Sequence, residues 1–324
     1  MSSREAPLRL AVLGCGHIAA RHAGTIRRVD RHVTLSFASR DAGRAARFAR
    51  ELGGSWSWPS YDAAIAHGTV DAVLVTTPPS EHLRLTTAAL RSGKHVIVEK
   101  PAFLTSADAE RVAELAARAQ RFVLVAENYA YKPLVAALRE SVVSGRLGEV
   151  RFVSVQALKR LDRRGWRDRA AVAGGGALFE GGIHWLHLMA SLGLTVEAVE
   201  GWRPGPLDEL ERSMLVTLRY AEGAVGTLAH SWETPGRFRG LQLSRIAGTR
   251  GSLTFESNGV ALHEHAPGGR GWQVPGLRDI EGYRAMFADF FRTLRTGHEP
   301  RMTLRHAIRD LQLVEAAGRN TQCT

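Results

Sequence analysis

The sequence predicts an α/β protein. Its amino-terminal 127 residues read as a doubly wound, mostly parallel sheet covered by helices, and residues 128–324 read as an α+β domain with a sheet and appended helices. Three observations carry this. Strand and helix periodicities alternate through the first 127 residues, a glycine-rich turn joins the first strand to the first helix, and short strand patterns separated by turn residues recur late in the chain.

The first element is the apolar run that opens Leu8 to Ala20, LRLAVLGCGHIAA. It ends in Gly14-Cys15-Gly16-His17-Ile18-Ala19, after which a helical pattern starts. A glycine at position 14 permits the sharp turn and one at 16 lets the backbone approach a pyrophosphate. The small Ala19 lets the helix sit close to the strand, with its N-terminus facing the phosphate charge. Val33 to Ala38 supplies the second strand of a βαβ unit. Its end holds Ser39 and Arg40, with Arg44 one turn on and Asp41 between. An acidic side chain there would accept from a ribose 2′-hydroxyl, whereas donors and positive charge suit a 2′-phosphate, so the reading favours NADP(H) over NAD(H).

Helical periodicity then runs through Ala42 to Leu52, Glu81 to Ser92 and Ala107 to Arg121. Apolar runs lie at Ala72 to Val75, His95 to Val98 and Phe122 to Ala126. Ligands of such sheets bind at the carboxyl ends of the strands. There Thr76-Thr77-Pro78-Pro79 ends one strand, with hydroxyls able to meet a ribose or phosphate. Glu99-Lys100-Pro101 ends another and delivers Lys100 to the edge that carries the glycine turn.

Composition bounds the alternatives. The formal charge is +11 and the isoelectric point about 10.5, but the basic residues are scattered without aromatic interleaving, which reads as a solvated surface rather than a nucleic-acid interface. Two cysteines, Cys15 and Cys323, make no disulfide framework. No signal-like apolar core or membrane-length apolar run is present, and the expected location is the cytoplasm.

The glycine turn, Thr77 to His82 (TPPSEH), Glu99-Lys100-Pro101, Gly174-Gly175-Gly176, Gly181-Gly182-Ile183-His184 and Ile246 to Leu253 together resemble the Gfo/Idh/MocA oxidoreductase family over nearly the whole chain. The resemblance implies a Rossmann domain followed by a domain built on a large, mostly antiparallel sheet. It also implies interconversion of alcohols and ketones, usually on sugars or cyclitols, without a metal at this site. Lys100 would be the active-site lysine that binds the reacting oxygen and supports proton transfer. The cofactor set it implies is Gly14, Gly16, His17, Ile18, Ser39, Arg40, Thr76, Thr77, Pro78, His82, Glu99, Lys100 and Asn128. Chemistry supports the residue types independently, because hydride transfer to a ketone leaves an alkoxide that needs a cation and a proton, and Lys100 and His184 can divide that work.

A second constellation is Glu180 to His187. In a regular helix Glu180, His184 and His187 share one face. Family members typically carry Asp at the position of Glu180 and often Asp at that of His187, so both are changed here. Glu180 can accept a substrate hydroxyl or orient His184. One carboxylate and two imidazoles could also ligate zinc, a reading the resemblance opposes. For His187, pairing within a helix or interface is the favoured reading.

Ala126 to Pro133 reads as a strand running into a turn and a helix starting near Pro133. In the family this segment lines the substrate site, with Asn128 near the nicotinamide ribose. The Arg that members often carry near Ala130 is absent, and Tyr129 and Lys132 are expected to contact substrate instead. Trp166, within the polar loop Arg163 to Asp168, is a candidate for stacking on a ring.

Strand patterns follow at Met214 to Tyr220, Ala224 to Trp232, Gln242 to Ala247 and Leu253 to Glu256, with closing helices at Tyr283 to Thr296 and Leu304 to Ala317. By resemblance, the outer face of such a sheet makes a homo-dimer or tetramer. The expected activity is NADP(H)-dependent hydride transfer at a hydroxyl or keto carbon of a sugar, nucleotide-linked sugar or cyclitol. The alternatives are reduction of a C=N or conjugated C=C bond in a secondary metabolite or tetrapyrrole, which the changed Glu180 and His187 favour, and a non-catalytic NADP(H) sensor, which Lys100 and His184 oppose.

Overall fold

A computed structural model describes residues 7–161, 165–206, 209–235 and 241–319. The chain forms β1 (Leu8–Leu13), α1 (His17–Val29), β2 (Val33–Ala38), α2 (Ala42–Leu52), β3 (Trp56–Trp58), α3 (Tyr61–Ala66), β4 (Ala72–Val75), α4 (His82–Arg91), β5 (His95–Glu99), α5 (Ser106–Ala119) and β6 (Val123–Ala126). Then come α6 (Pro133–Val143), β7 (Val150–Leu158), α7 (Ala170–Ala173), α8 (Ile183–Ala190), β8 (Val196–Trp202), β9 (Ser213–Tyr220) and β10 (Val225–Ser231). The remainder is β11 (Leu243–Gly248), β12 (Ser252–Glu256), β13 (Leu262–His265), β14 (Gly271–Gln273), α9 (Tyr283–Thr296) and α10 (Leu304–Arg319).

Contacts divide the chain into two compact units. One joins residues 1–127 to 283–308, and the other joins 128–282 to 309–324. The expected second domain, 128–324, therefore gives up α9 and the start of α10. An amphipathic pattern shows that a helix buries one face but not which sheet or helix receives it. In α9 that face is Met286, Phe287, Phe290 and Phe291, all buried, and the helix packs on α1. Arg295 of α9 pairs with Asp30 at the end of α1 at 2.5 Å.

In the first unit the strands are ordered β3-β2-β1-β4-β5-β6 and every neighbouring pair is parallel. Leu10, Val12, Leu13, Val73, Leu74, Val96, Ile97 and Val98 are buried, as helix-covered parallel strands require. Local chemistry starts the helices. Asp41 accepts from the Arg44 amide at 3.0 Å, Ser60 from Ala63 at 3.1 Å and Thr105 from Asp108 at 3.1 Å, each satisfying an otherwise orphan N–H. The strand Trp56–Trp58 was not anticipated. It pairs with the end of β2, and the Trp58 indole donates to Ser36 at 3.0 Å.

In the second unit eight strands run β14-β13-β12-β11-β7-β10-β9-β8. The β7–β10 pair is parallel and the other pairs are antiparallel. The sequence reading began this sheet at Met214 and so missed β7 and β8, although Val150, Val153, Val155 and Ala157 supply buried positions along β7. The opposite face exposes Phe152, Leu215, Val225 and Leu243, with Phe152 paired to Val225. Among the described residues, no helix is long and apolar enough to cross a membrane.

Candidate active site

At the carboxyl edge of the parallel sheet, Gly14 adopts a φ of +111°, and a Cβ there would come within 3.0 Å of Thr76. Only glycine meets both demands. Gly16, the residue preceding α1, is exposed, and a Cβ built on it would meet nothing within 4 Å. His17 and Ile18 open the helix, and Ala19 is buried beneath it. The first-turn amides of α1 thus face an open space suited to a phosphate.

The neighbouring hydroxyls divide. The Thr76 hydroxyl is spent inside the turn, donating to the Leu13 and Gly14 carbonyls at 3.1 and 3.0 Å, where contact with a ribose or phosphate was expected. Thr77 Oγ1 is buried without a hydrogen-bond partner in the protein, a group that a ligand would satisfy. Pro78 is half-buried beside it. His82, expected among the cofactor contacts, is buried in the protein. Its Nε2 lies 2.8 Å from the Thr77 carbonyl and its Nδ1 lies 3.0 Å from that of Pro101, so the ring joins the threonine turn to the lysine turn.

At the end of β2, Ser39 is buried and its hydroxyl accepts from the Asp41 amide at 3.2 Å. The Asp41 carboxylate caps α2, while Arg40 and Arg44 are exposed. Burial pushes the Tyr61 phenol up while the charge and hydrogen bond of Arg40 pull it down, placing Arg40 beside that hydroxyl. Burial likewise pushes the Cys15 thiol up to about 11 against the pull of Arg44 and Arg47, so those two guanidinium groups sit near the glycine turn. The open turn and the orphan Thr77 hydroxyl fit a dinucleotide. A recess lined by Arg27, Arg28, Arg31 and Gly53 opens instead at the start of β2, the wrong end of the sheet for such a ligand.

Lys100 follows β5 directly and is half-buried. Glu99 turns back on it, with Oε2 accepting the Lys100 amide at 3.1 Å and Oε1 engaging His22 Nε2. Both carboxylate oxygens are therefore held by protein groups, although Glu99 was expected to meet the cofactor. His22 was not singled out in the sequence. A lone histidine in an amphipathic helix carries no motif, and its partner lies 77 residues away.

The second unit holds the other candidates. Leu178–Gly182 is a π-helical turn, with the Ile183 amide donating to Leu178 five residues back, and it runs into α8. The extra residue displaces the single face expected for Glu180, His184 and His187, whose contacts diverge. Glu180 is buried and accepts from Arg167 Nε at 2.6 Å. The Arg167 guanidinium lies 4.5 Å from the centroid of the Trp166 ring, the surface expected to stack on substrate. His184 stacks on Tyr129, ring centroids 4.6 Å apart and planes 15° from parallel. His187 is buried, with Nδ1 2.7 Å from Asp310 Oδ2, and Arg309 Nη2 donates to the other Asp310 oxygen at 2.7 Å.

Asn128 Nδ2 donates to the Glu281 carbonyl at 2.7 Å. Lys132 is buried, donates to the Asn258 carbonyl at 2.7 Å and places its ammonium 4.2 Å from the Tyr129 ring centroid. It thus braces Tyr129. Arg163 and Arg164 of the loop before the glycine triplet lie outside the described residues, as does Cys323.

Comparison with known proteins agrees with this architecture. Residues 8–127 match the oxidoreductase family of NAD-binding Rossmann fold named GFO_IDH_MocA, and residues 135–254 match the GFO/IDH/MocA C-terminal domain. The chain belongs to the Gfo/Idh/MocA family of NAD(P)-dependent oxidoreductases. It is 34% identical over 188 residues to the dTDP-3,4-didehydro-2,6-dideoxy-alpha-D-glucose 3-reductase of Streptomyces violaceoruber, covering 57% of this chain and 54% of that protein. It is 30% identical over 186 residues to the D-glucoside 3-dehydrogenase of Escherichia coli (strain K12), covering 56% and 53%. The chain therefore spans about half the length of these curated relatives. The aldose-aldose oxidoreductase from Caulobacter crescentus, solved with glycerol, superposes with a TM-score of 0.86 at 25% identity over 97% of each chain.

Proposed function

We propose that this chain is an NADP(H)-dependent oxidoreductase that acts on a hydroxyl or keto carbon of a sugar, nucleotide-linked sugar or cyclitol. The observation that carries this reading is the placement of an open glycine turn after β1 and of Lys100 after β5 at the carboxyl edge of one parallel sheet. The sugar-directed names of the two relatives support the substrate class.

In this reading the first-turn amides of α1 and the exposed Gly16 hold the pyrophosphate, the Thr77 hydroxyl takes a ribose or phosphate oxygen, and Ser39, Arg40 and Arg44 hold the 2′-phosphate. When bound, the nicotinamide supplies or accepts the hydride. Lys100 places its ammonium at the substrate oxygen, where it stabilises the charge that develops in the reductive direction and donates the proton. His184, oriented by Tyr129, shares the proton, and Glu180, fixed by Arg167, accepts a substrate hydroxyl. His187 pairs with Asp310 in the interior, so its departure from the family residue is a packing matter and lends no weight to C=N or C=C reduction.

The exposed side chains of Phe152, Val225, Leu215 and Leu243 on the outer face support self-association through the eight-stranded sheet. The test of function is a thermal-shift and turnover screen of NADPH with keto sugars, cyclitols and cyclic imines. Turnover of a keto sugar or cyclitol is the expected result, and turnover confined to imines would refute it.

A further inference from the structure

The lysine turn is tied to the cofactor helix by a buried pair that neither the motif nor the family match points to. His22 lies in α1, five residues after His17, with no exposed surface. Its Nε2 meets Glu99 Oε1, and the other oxygen of the same carboxylate accepts the Lys100 amide. The edge of the ring is closed by Tyr283 and Phe287 of α9, at centroid distances of 5.5 and 5.1 Å. Nδ1 of His22 has no hydrogen-bond partner in the protein. An anionic acceptor on one nitrogen and none on the other selects the tautomer that carries its proton on Nε2.

Burial pushes the Glu99 carboxyl up, but the His22 hydrogen bond, the largest opposing cause, and the nearby Lys100 charge hold it below the usual carboxylate range. The titratable and charged groups around it are thus His22 from α1, His82 from α4 and Lys100 from its own turn. Tyr283 faces it from α9, with Glu127 beyond and the Arg21 guanidinium over the Tyr283 ring at 4.6 Å. The carboxylate, held by His22, fixes the backbone that carries Lys100 through its amide.

We propose that His22 is a positioning residue for Lys100: through Glu99 it anchors the lysine turn to the helix that binds the pyrophosphate. The proposal rests on the assignment of Lys100 to the substrate oxygen. Loss of the Nε2 donor leaves the Glu99 charge buried without its partner and drives that carboxyl toward its neutral form.

In folded His22→Leu, kcat on a substrate from the keto-sugar panel should fall at least about 10-fold while NADPH affinity stays within a few-fold of wild type, because the lysine turn loses its anchor. Glu99→Leu should do the same, and His22→Gln, whose amide can donate to Glu99, should return kcat to within about 3-fold of wild type. Three results would overturn the proposal. They are an unchanged kcat in both His22→Leu and Glu99→Leu, a fall in NADPH affinity as large as that in kcat, and a His22→Gln kcat no closer to wild type than that of His22→Leu. If His22→Leu does not fold, Glu99→Leu and His22→Gln decide the matter by the same criteria. Turnover of Lys100→Ala on the same panel separates this from the assignment beneath it. Near-normal turnover there sinks the role of Lys100, whereas a large loss there with unchanged kcat in His22→Leu and Glu99→Leu sinks the positioning role alone.

Discussion

The imidazole of His184 lies against the phenol ring of Tyr129, 4.6 Å between centroids and 15° from parallel. Trp185 meets the same phenol ring edge-on at 5.1 Å, and the Lys132 ammonium sits 4.2 Å from its centroid. Tyr129 therefore sets the plane of the imidazole through its aromatic ring. Tyr129→Phe should keep kcat within about 3-fold of wild type, whereas Tyr129→Ala should lower it about 10-fold or more with little change in NADPH affinity. Steady-state kinetics on a substrate from the keto-sugar panel distinguishes the two, and equal losses would place the function in the hydroxyl.

Lys100 is needed most when the substrate oxygen becomes negative. Lys100→Ala should bind NADPH within a few-fold of wild type and lose at least about 100-fold in turnover, roughly 2.7 kcal/mol of transition-state stabilisation. His184→Ala should show a smaller loss, and the double variant should lose less than the sum if both groups handle one proton. Near-normal turnover in Lys100→Ala would dismiss the proton role.

Cofactor choice should follow the exposed guanidinium groups after β2. NADPH should bind at least about 10-fold more tightly than NADH, and Arg40→Ala should remove most of that difference. Fluorescence titration with both cofactors measures it. NADH binding as tight as NADPH in the wild type would reverse the assignment.

The Arg146–Glu264 pair ties α6's following turn to β13. The Glu264 side chain is fully buried and accepts from Arg146 Nε at 2.8 Å and from the Arg270 amide at 3.2 Å. Burial pushes its carboxyl up, but Arg146 and the Arg270 amide hold it below the usual range. A carboxyl depressed in the folded state contributes stability that is complete above its unfolded value, about 4.3, and is lost as pH falls through the lower folded value. Glu264→Gln should thus be less stable than wild type at pH 7, with the gap shrinking toward pH 3. Urea unfolding across that range reads it, and a gap independent of pH would contradict the pairing.

Self-association should run through the exposed face of the eight-stranded sheet. Phe152→Arg places a charge beside Val225 and should shift the sedimentation of an oligomer to that of a monomer without loss of fold. An oligomer that survives the substitution would move the interface elsewhere.

Several parts of the molecule were legible because the backbone leaves marks in the sequence. Gly14 answers to a φ and a close approach to Thr76 that other residues do not tolerate, and Lys100 is delivered by the plain end of an apolar strand. His22 left no such mark, since its meaning depends on a partner brought near only by the fold. The π-helical turn was hidden too, because Glu180, His184 and His187 read as one stripe at regular helical spacing. The hydroxyl of Thr76 and the ammonium of Lys132 looked like ligand contacts by type, and it is their burial that turns them inward. In β7 the alternation was present in the letters, yet Phe152 sits exposed where a phenylalanine suggests an interior.

The assignment of α9 to the first unit bears on how the protein is made. When Ala126 is added to the growing chain, the parallel sheet is complete in sequence, but the aromatic cover of His22 and the Arg295 partner of Asp30 are still more than 150 residues from being synthesised. The first unit to begin folding is thus closed only by a segment made more than 150 residues later, and until then the nascent parallel sheet waits with one flank of α1 open to solvent and to chaperones.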